Sequence, residues 1–237
     1  MLNSNKIICA LDFNDLPNAF NFVSKINYDI VFKVGMEFFY NFGLEGINRL
    51  KKNKPGIKIF LDLKLHDIPN TVASSLLPLI ENVRPYMITL HVSGGKDMLK
   101  KAVDAVNNIC KKRNLKKPIM LGVTILTSLS QEDLIMLGHT NSIQDYVVKY
   151  AKLASNSGLN GIVCSALETK LVKSLYKDLI IVTPGIRINK NDQDDQSRVV
   201  TPREAFSIGS DFIVMGRPLI QSKDPNKVIS DVIYNDE

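Results

Sequence analysis

Asp62 and Lys64 stand two residues apart in the run Ile59-Phe60-Leu61-Asp62-Leu63-Lys64, and Asp67 follows three residues later in His66-Asp67-Ile68-Pro69. Successive side chains of a strand point to opposite faces, so Phe60, Asp62 and Lys64 share one face while Leu61, Leu63 and Leu65 share the other. The leucines suit packing against helices, and the two charges then point together into a cavity. Charged side chains are seldom withdrawn from water without a task, which makes a purely structural ion pair the weaker reading. Asp12, after Ile7-Ile8-Cys9-Ala10-Leu11, and Lys33, in Val31-Phe32-Lys33-Val34, belong to two further apolar runs. Taken with Asp62, Lys64 and Asp67, they give three negative and two positive charges alternating along the sequence. Flanking carboxylates favour an ammonium, which makes Lys64 a cation and proton donor and not a Schiff-base nucleophile.

A second chemistry lies near the other end of the chain. Thr183-Pro184-Gly185-Ile186-Arg187 and Met215-Gly216-Arg217-Pro218 each follow an apolar run. Arginine forks and the backbone N–H groups of such turns are fitted to a phosphate. Thr124 and Thr127 follow another run, and His66 and His91 are placed to line the same mouth. His139 is remote, and no His, Asp or Glu spacing matches a metal site. No Ser-His-Asp arrangement or Gly-x-Ser-x-Gly elbow is present.

These residues need a scaffold that brings strand ends together. Eight short apolar runs read as strands: Lys6 to Leu11, Ile30 to Val34, Lys58 to Lys64, Met87 to His91, Ile119 to Thr124, Gly161 to Cys164, Leu179 to Thr183 and Phe212 to Met215. Between them lie segments with helical spacing, such as Leu16 to Ile26, Glu37 to Lys52, Thr71 to Asn82, Lys96 to Arg113, Ile143 to Ser157 and Leu167 to Tyr176. Eight βα units in 237 residues fit an α/β (β/α)8 TIM barrel, whose functional groups cluster at the C-terminal strand ends. The competing doubly wound sheet would carry a glycine-rich turn after its first strand, where this chain has Asp12-Phe13-Asn14-Asp15. No linker divides the chain, so residues 1–237 read as a single domain, and the polar stretch 188–199 reads as a lid loop closing over phosphate.

Composition excludes several classes. Hydrophobic residues at 45% and charged residues at 23% describe a globular chain, not a disordered or coiled-coil one. No apolar run reaches membrane-spanning length, and the first residues, Met1 to Lys6, do not resemble a secretory leader, which implies a cytoplasmic protein. Cys9, Cys110 and Cys164 are odd in number and widely spaced, so they read as reduced, with Cys9 and Cys164, inside apolar runs, as packing residues. The net charge of +6 is scattered, with its densest cluster, Lys111 to Lys117, at a helix end, so no nucleic-acid surface is implied.

The run Asp62-Leu63-Lys64-Leu65-His66-Asp67-Ile68-Pro69-Asn70-Thr71 resembles the signature of the orotidine 5'-phosphate decarboxylase family. Ala10-Leu11-Asp12, Phe32-Lys33-Val34-Gly35, Gly122-Val123-Thr124 through Leu126-Thr127-Ser128, and the two arginine turns are similar to that family in order and spacing. The resemblance implies a TIM barrel that converts orotidine 5'-monophosphate to uridine 5'-monophosphate and CO2 in pyrimidine biosynthesis, without metal or organic cofactor. It further implies that Asp62, Lys64 and Asp67 form the catalytic array and that Asp12 and Lys33 hold the ribose hydroxyls. Thr127 and Ser128 would face the pyrimidine; Pro184, Arg187, Gln196, Gly216 and Arg217 would bind the phosphate end. In a homodimer, Asp67 and Thr71 would reach the neighbouring site. The stretch Asn189 to Asp195 departs from the family's lid pattern in having no glycine. Two other readings compete: a magnesium-dependent sugar-phosphate enzyme of the same superfamily, disfavoured by Ile68-Pro69-Asn70-Thr71 and Gln196, and an inactive nucleotide- or protein-binding barrel, disfavoured by the intact Lys64 and aspartates.

Overall fold

Each apolar run sends alternate side chains to opposite sides, and eight such runs laid parallel can seal one side against helices and the other against themselves. The computed structural model describes residues 2–188 and 199–234. In chain order its elements are β1 (Ile7–Ala10), α1 (Leu16–Lys25), β2 (Val31–Val34), α2 (Met36–Asn53), β3 (Lys58–Leu65), α3 (Pro69–Val83), β4 (Met87–His91) and α4 (Gly95–Arg113). They continue with β5 (Ile119–Val123), α5 (Gln131–Met136), α6 (Ile143–Asn156), β6 (Gly161–Val163), α7 (Ala166–Leu175), β7 (Ile180–Thr183), α8 (Pro202–Ser207), β8 (Phe212–Met215), α9 (Arg217–Ile220) and α10 (Pro225–Tyr234). The strands pair in parallel in sequence order, and β1 pairs with β8 to close the barrel. The (β/α)8 barrel read from the sequence is the observed fold, and every strand bound agrees to within one residue.

Two apolar cores follow from the alternation. Ile8, Val31, Phe60, Met87, Leu121, Val182 and Phe212 fill the barrel interior. Their neighbours Ile7, Cys9, Phe32, Ile59, Leu61, Ile88, Ile162, Ile181 and Ile213 pack outward into the layer shared with the helices. Helix starts are fixed locally: Asp15 accepts from the Asn18 amide, and reciprocal capping boxes join Ser130 to Asp133, Ser142 to Asp145 and Thr201 to Glu204. Among the described residues no helix is long and apolar enough to cross a membrane. The expected lid, 188–199, lies outside the described residues except for its ends.

Candidate active site

The inward column on each strand changes character as it climbs towards the C-terminal end. Above Val31 on β2 stands Lys33, above Phe60 on β3 stands Asp62, and above Met87 on β4 stands Thr89; beyond Ile8 and Ala10 on β1 comes Asp12. The alternation that seals the apolar interior therefore delivers polar groups to the mouth. There they line a cavity of ≈ 320 Å³ together with Lys64, Thr127, Ser128, Pro184, Arg187, Gly216 and Arg217, Thr89 alone standing behind its wall. Phe60, Val123, Ile125 and Val214 supply apolar lining, as does Cys164.

Charge is ordered across the cavity. Lys33 Nζ lies 3.8 Å from Asp12 and 3.5 Å from Asp62, and Lys64 Nζ donates to Asp62 Oδ2 at 2.9 Å. Asp12, Lys33, Asp62 and Lys64 thus form a chain of alternating sign. Burial pushes the Asp62 carboxyl up, but Lys33 and Lys64, with hydrogen bonds from Lys64 and Thr89, outweigh it and hold the group below the ordinary carboxylate range. Gly35, just past β2, leaves room for this arrangement, since a Cβ there would come within 3.1 Å of Lys33 Nζ.

Strand β3 is not regular where it carries Asp62 and Lys64. Its pairing with β4 jumps from Leu61↔Ile88 to Leu65↔Leu90, and Lys64 sits between with φ 50°. A positive φ is uncommon for a residue with a Cβ and costs on the order of 1–3 kcal/mol. Asp62 and Lys64 do face one cavity, but through this bulge and not through unbroken alternation. The Lys64 amide, which the ladder no longer pairs, donates to Thr89 Oγ1 at 2.9 Å, and the Thr89 hydroxyl donates to Asp62 Oδ1 at 3.0 Å. Thr89 was not among the residues singled out from the sequence, although its place two residues after Met87 in an apolar strand marks it as inward-facing.

On the opposite rim, Gly185 adopts φ 77° in the turn after β7, and Arg187, 6% exposed, donates through Nη1 to the Ile186 carbonyl. Val200 stitches this turn down, donating to Gly185 O and accepting from Arg187 N. Gly216 and Arg217 lead from β8 into α9. Both arginine turns border the cavity that holds Lys64.

Of the remaining expected residues, those that are described do not line this cavity. Asp67 and Thr71 are exposed and do not line this cavity; Asp67 Oδ1 accepts from the Ile68 amide. Gln196 lies outside the described residues. His66 and His91 do not line the cavity either, but lie against each other with ring centroids 5.3 Å apart. Burial, with His66 and Lys64 beside it, pushes the His91 imidazole below its ordinary range. Thr124 donates to the Val163 carbonyl and serves the barrel wall. Cys9 is fully buried, and burial with Asp12 nearby pushes its thiol up, as suits packing. No group of three or more metal-ligating side chains occurs among the described residues.

Comparison with known proteins shows the family of the chain. An orotidine 5'-phosphate decarboxylase from Wolbachia pipientis is 44% identical over 223 residues, covering 93% of this chain and 94% of the relative. One from Dictyoglomus turgidum is 42% identical over 229 residues, covering 95% and 93%. The crystal structure of orotidine 5'-phosphate decarboxylase from Lactobacillus acidophilus matches with a TM-score of 0.83 at 35% identity, over 96% of this chain and 97% of that one. With residues 5–232 matched by the model of the orotidine 5'-phosphate decarboxylase / HUMPS family, the chain belongs to that family.

Proposed function

We propose that this protein is a carboxy-lyase that converts orotidine 5'-monophosphate to uridine 5'-monophosphate and CO2 in pyrimidine biosynthesis. The observation that carries the proposal is the charge chain ending on Lys64, which lines one cavity together with Arg187 and Arg217. The arginine turns bind the phosphate, Asp12 and Lys33 hold the ribose hydroxyls, and Thr127 and Ser128 face the pyrimidine. When the bond from C6 to the carboxylate breaks, its electron pair stays on C6 and CO2 leaves. The Lys64 ammonium stabilises that developing charge and then gives C6 its proton, and the amine is reprotonated from solvent.

A magnesium-dependent sugar-phosphate reaction fits less well. Asp62 Oδ2 already faces two ammonium groups, and Oδ1 receives the Thr89 hydroxyl, so a divalent cation there would have to displace them. Loss of the substrate's ultraviolet band, measured with purified protein and orotidine 5'-monophosphate with and without EDTA, separates the two readings. The expected result is turnover that EDTA leaves unchanged; no turnover, or turnover abolished by EDTA, overturns the proposal.

The phosphate assignment has its own test. Arg217→Ala is expected to raise KM about 10- to 100-fold, the size of a lost hydrogen bond between charged groups. An unchanged KM would refute the assignment.

The functional unit we propose is a homodimer in the cytoplasm. Asp67 and Thr71 stand exposed beside Ile68, itself 66% exposed, away from their own chain's cavity, as residues that complete a neighbour's site would. Three buried free thiols suit a reducing compartment.

A further inference from the structure

We propose that Thr89 is a positioning residue that holds Asp62 and Lys64 in their working geometry, an inference that rests on the decarboxylase reading above. Thr89 is fully buried and stands behind the cavity wall, so it touches no substrate. Its hydroxyl nonetheless meets both members of the catalytic pair. It accepts from the Lys64 amide at 2.9 Å and donates to Asp62 Oδ1 at 3.0 Å, while Asp62 Oδ2 accepts from Lys64 Nζ at 2.9 Å. These bonds close a ring from the Lys64 backbone through Thr89 and Asp62 to the Lys64 ammonium.

The ring answers two physical needs at once. Lys64 occupies the left-handed region with its amide outside the β3–β4 ladder, so that amide needs another acceptor within the barrel wall. Asp62 must keep one carboxylate oxygen turned towards Lys64 and Lys33, and a fixed donor on its other oxygen prevents rotation. One hydroxyl, as both donor and acceptor, meets both needs; a methyl group meets neither. The stiff rotamer of a β-branched residue adds to the precision of the placement.

The test compares two substitutions. Thr89→Val keeps the shape and removes the hydroxyl; it is expected to lower kcat for orotidine 5'-monophosphate about 10- to 100-fold, because the reacting ammonium is no longer held in place. KM, and the affinity for uridine 5'-monophosphate, should stay within about threefold, since the phosphate turns are untouched. Thr89→Ser, which restores the hydroxyl, should return kcat to within about threefold of the parent. Should valine prevent folding, Thr89→Cys offers a weak donor and acceptor of similar size to serine and should show the same loss. A valine variant with parental kcat, or a serine variant as impaired as valine, overturns the proposal. Crystal structures of the parent and the valine variant give a readout independent of turnover: Asp62 should rotate and Lys64 should leave the left-handed region. Unmoved residues overturn the positioning role, whereas a parent chain with no turnover overturns the proposed function and leaves this structural comparison to decide the role of Thr89.

Discussion

Replacing Lys64 with alanine is expected to lower kcat by at least about 10⁴-fold, because in the proposed reaction one side chain supplies both a proton and a fixed positive charge to the same carbon. That loss corresponds to about 5 kcal/mol of barrier. Binding of uridine 5'-monophosphate should survive, since Arg187 and Arg217 belong to the turns after β7 and β8 and not to β3. Single-turnover measurements alongside product titration check both halves, and retained turnover would refute the role assigned to Lys64. In the proposed dimer, repulsion between the substrate carboxylate and the partner's Asp67 would contribute less. Two charges about 4 Å apart at an effective dielectric near 20 interact by roughly 4 kcal/mol. Large enzymatic accelerations call for up to about 23 kcal/mol. On the proposed function, the greater share would therefore fall to Lys64 and to the phosphate contacts that orient the ring.

Mixing two inactive variants should restore activity. If Asp67 completes the neighbour's site, Lys64→Ala and Asp67→Ala homodimers are each defective at both sites. A mixed dimer has one site in which native Lys64 meets native Asp67. Random exchange of equal amounts makes about half the dimers mixed, each with one working site of two, so activity should climb to roughly a quarter of the parent's. Unfolding and refolding the variants together, then assaying against each alone, checks this. No gain in activity, with dimers present by light scattering, would place Asp67 outside the shared site.

The barrel was legible because its strands are short, apolar and rich in β-branched residues, and because eight recur with helical segments between them. The charged column was legible too, since period two predicts that Asp62 and Lys64 share a face. What period two cannot show is the bulge at Lys64, which depends on β4 pairing and on the hydroxyl of Thr89. Thr89 escaped notice because a lone threonine in an apolar strand looks like a tolerated β-former. The short helices α5 and α8 also went unread, although Ser130-Gln131-Glu132-Asp133 and Thr201-Pro202-Arg203-Glu204 each carry a capping box. The histidines were misplaced for the opposite reason: a position near the mouth does not fix the direction of the side chain in the turns after a strand.

The two-sided wall of the barrel also constrains how the chain can change in length. On β2, Val31 and Lys33 face inward while Phe32 and Val34 face the helices. Deleting one residue ahead of Lys33 within that strand would exchange the two sets, turning an ammonium into the helix layer and a phenyl ring into the cavity. A residue added or lost at Asn27 or Tyr28, before the strand begins, leaves this parity untouched. Descendants of such a sequence can vary in length between strands, while within them reading frame and side-chain facing are inherited as one.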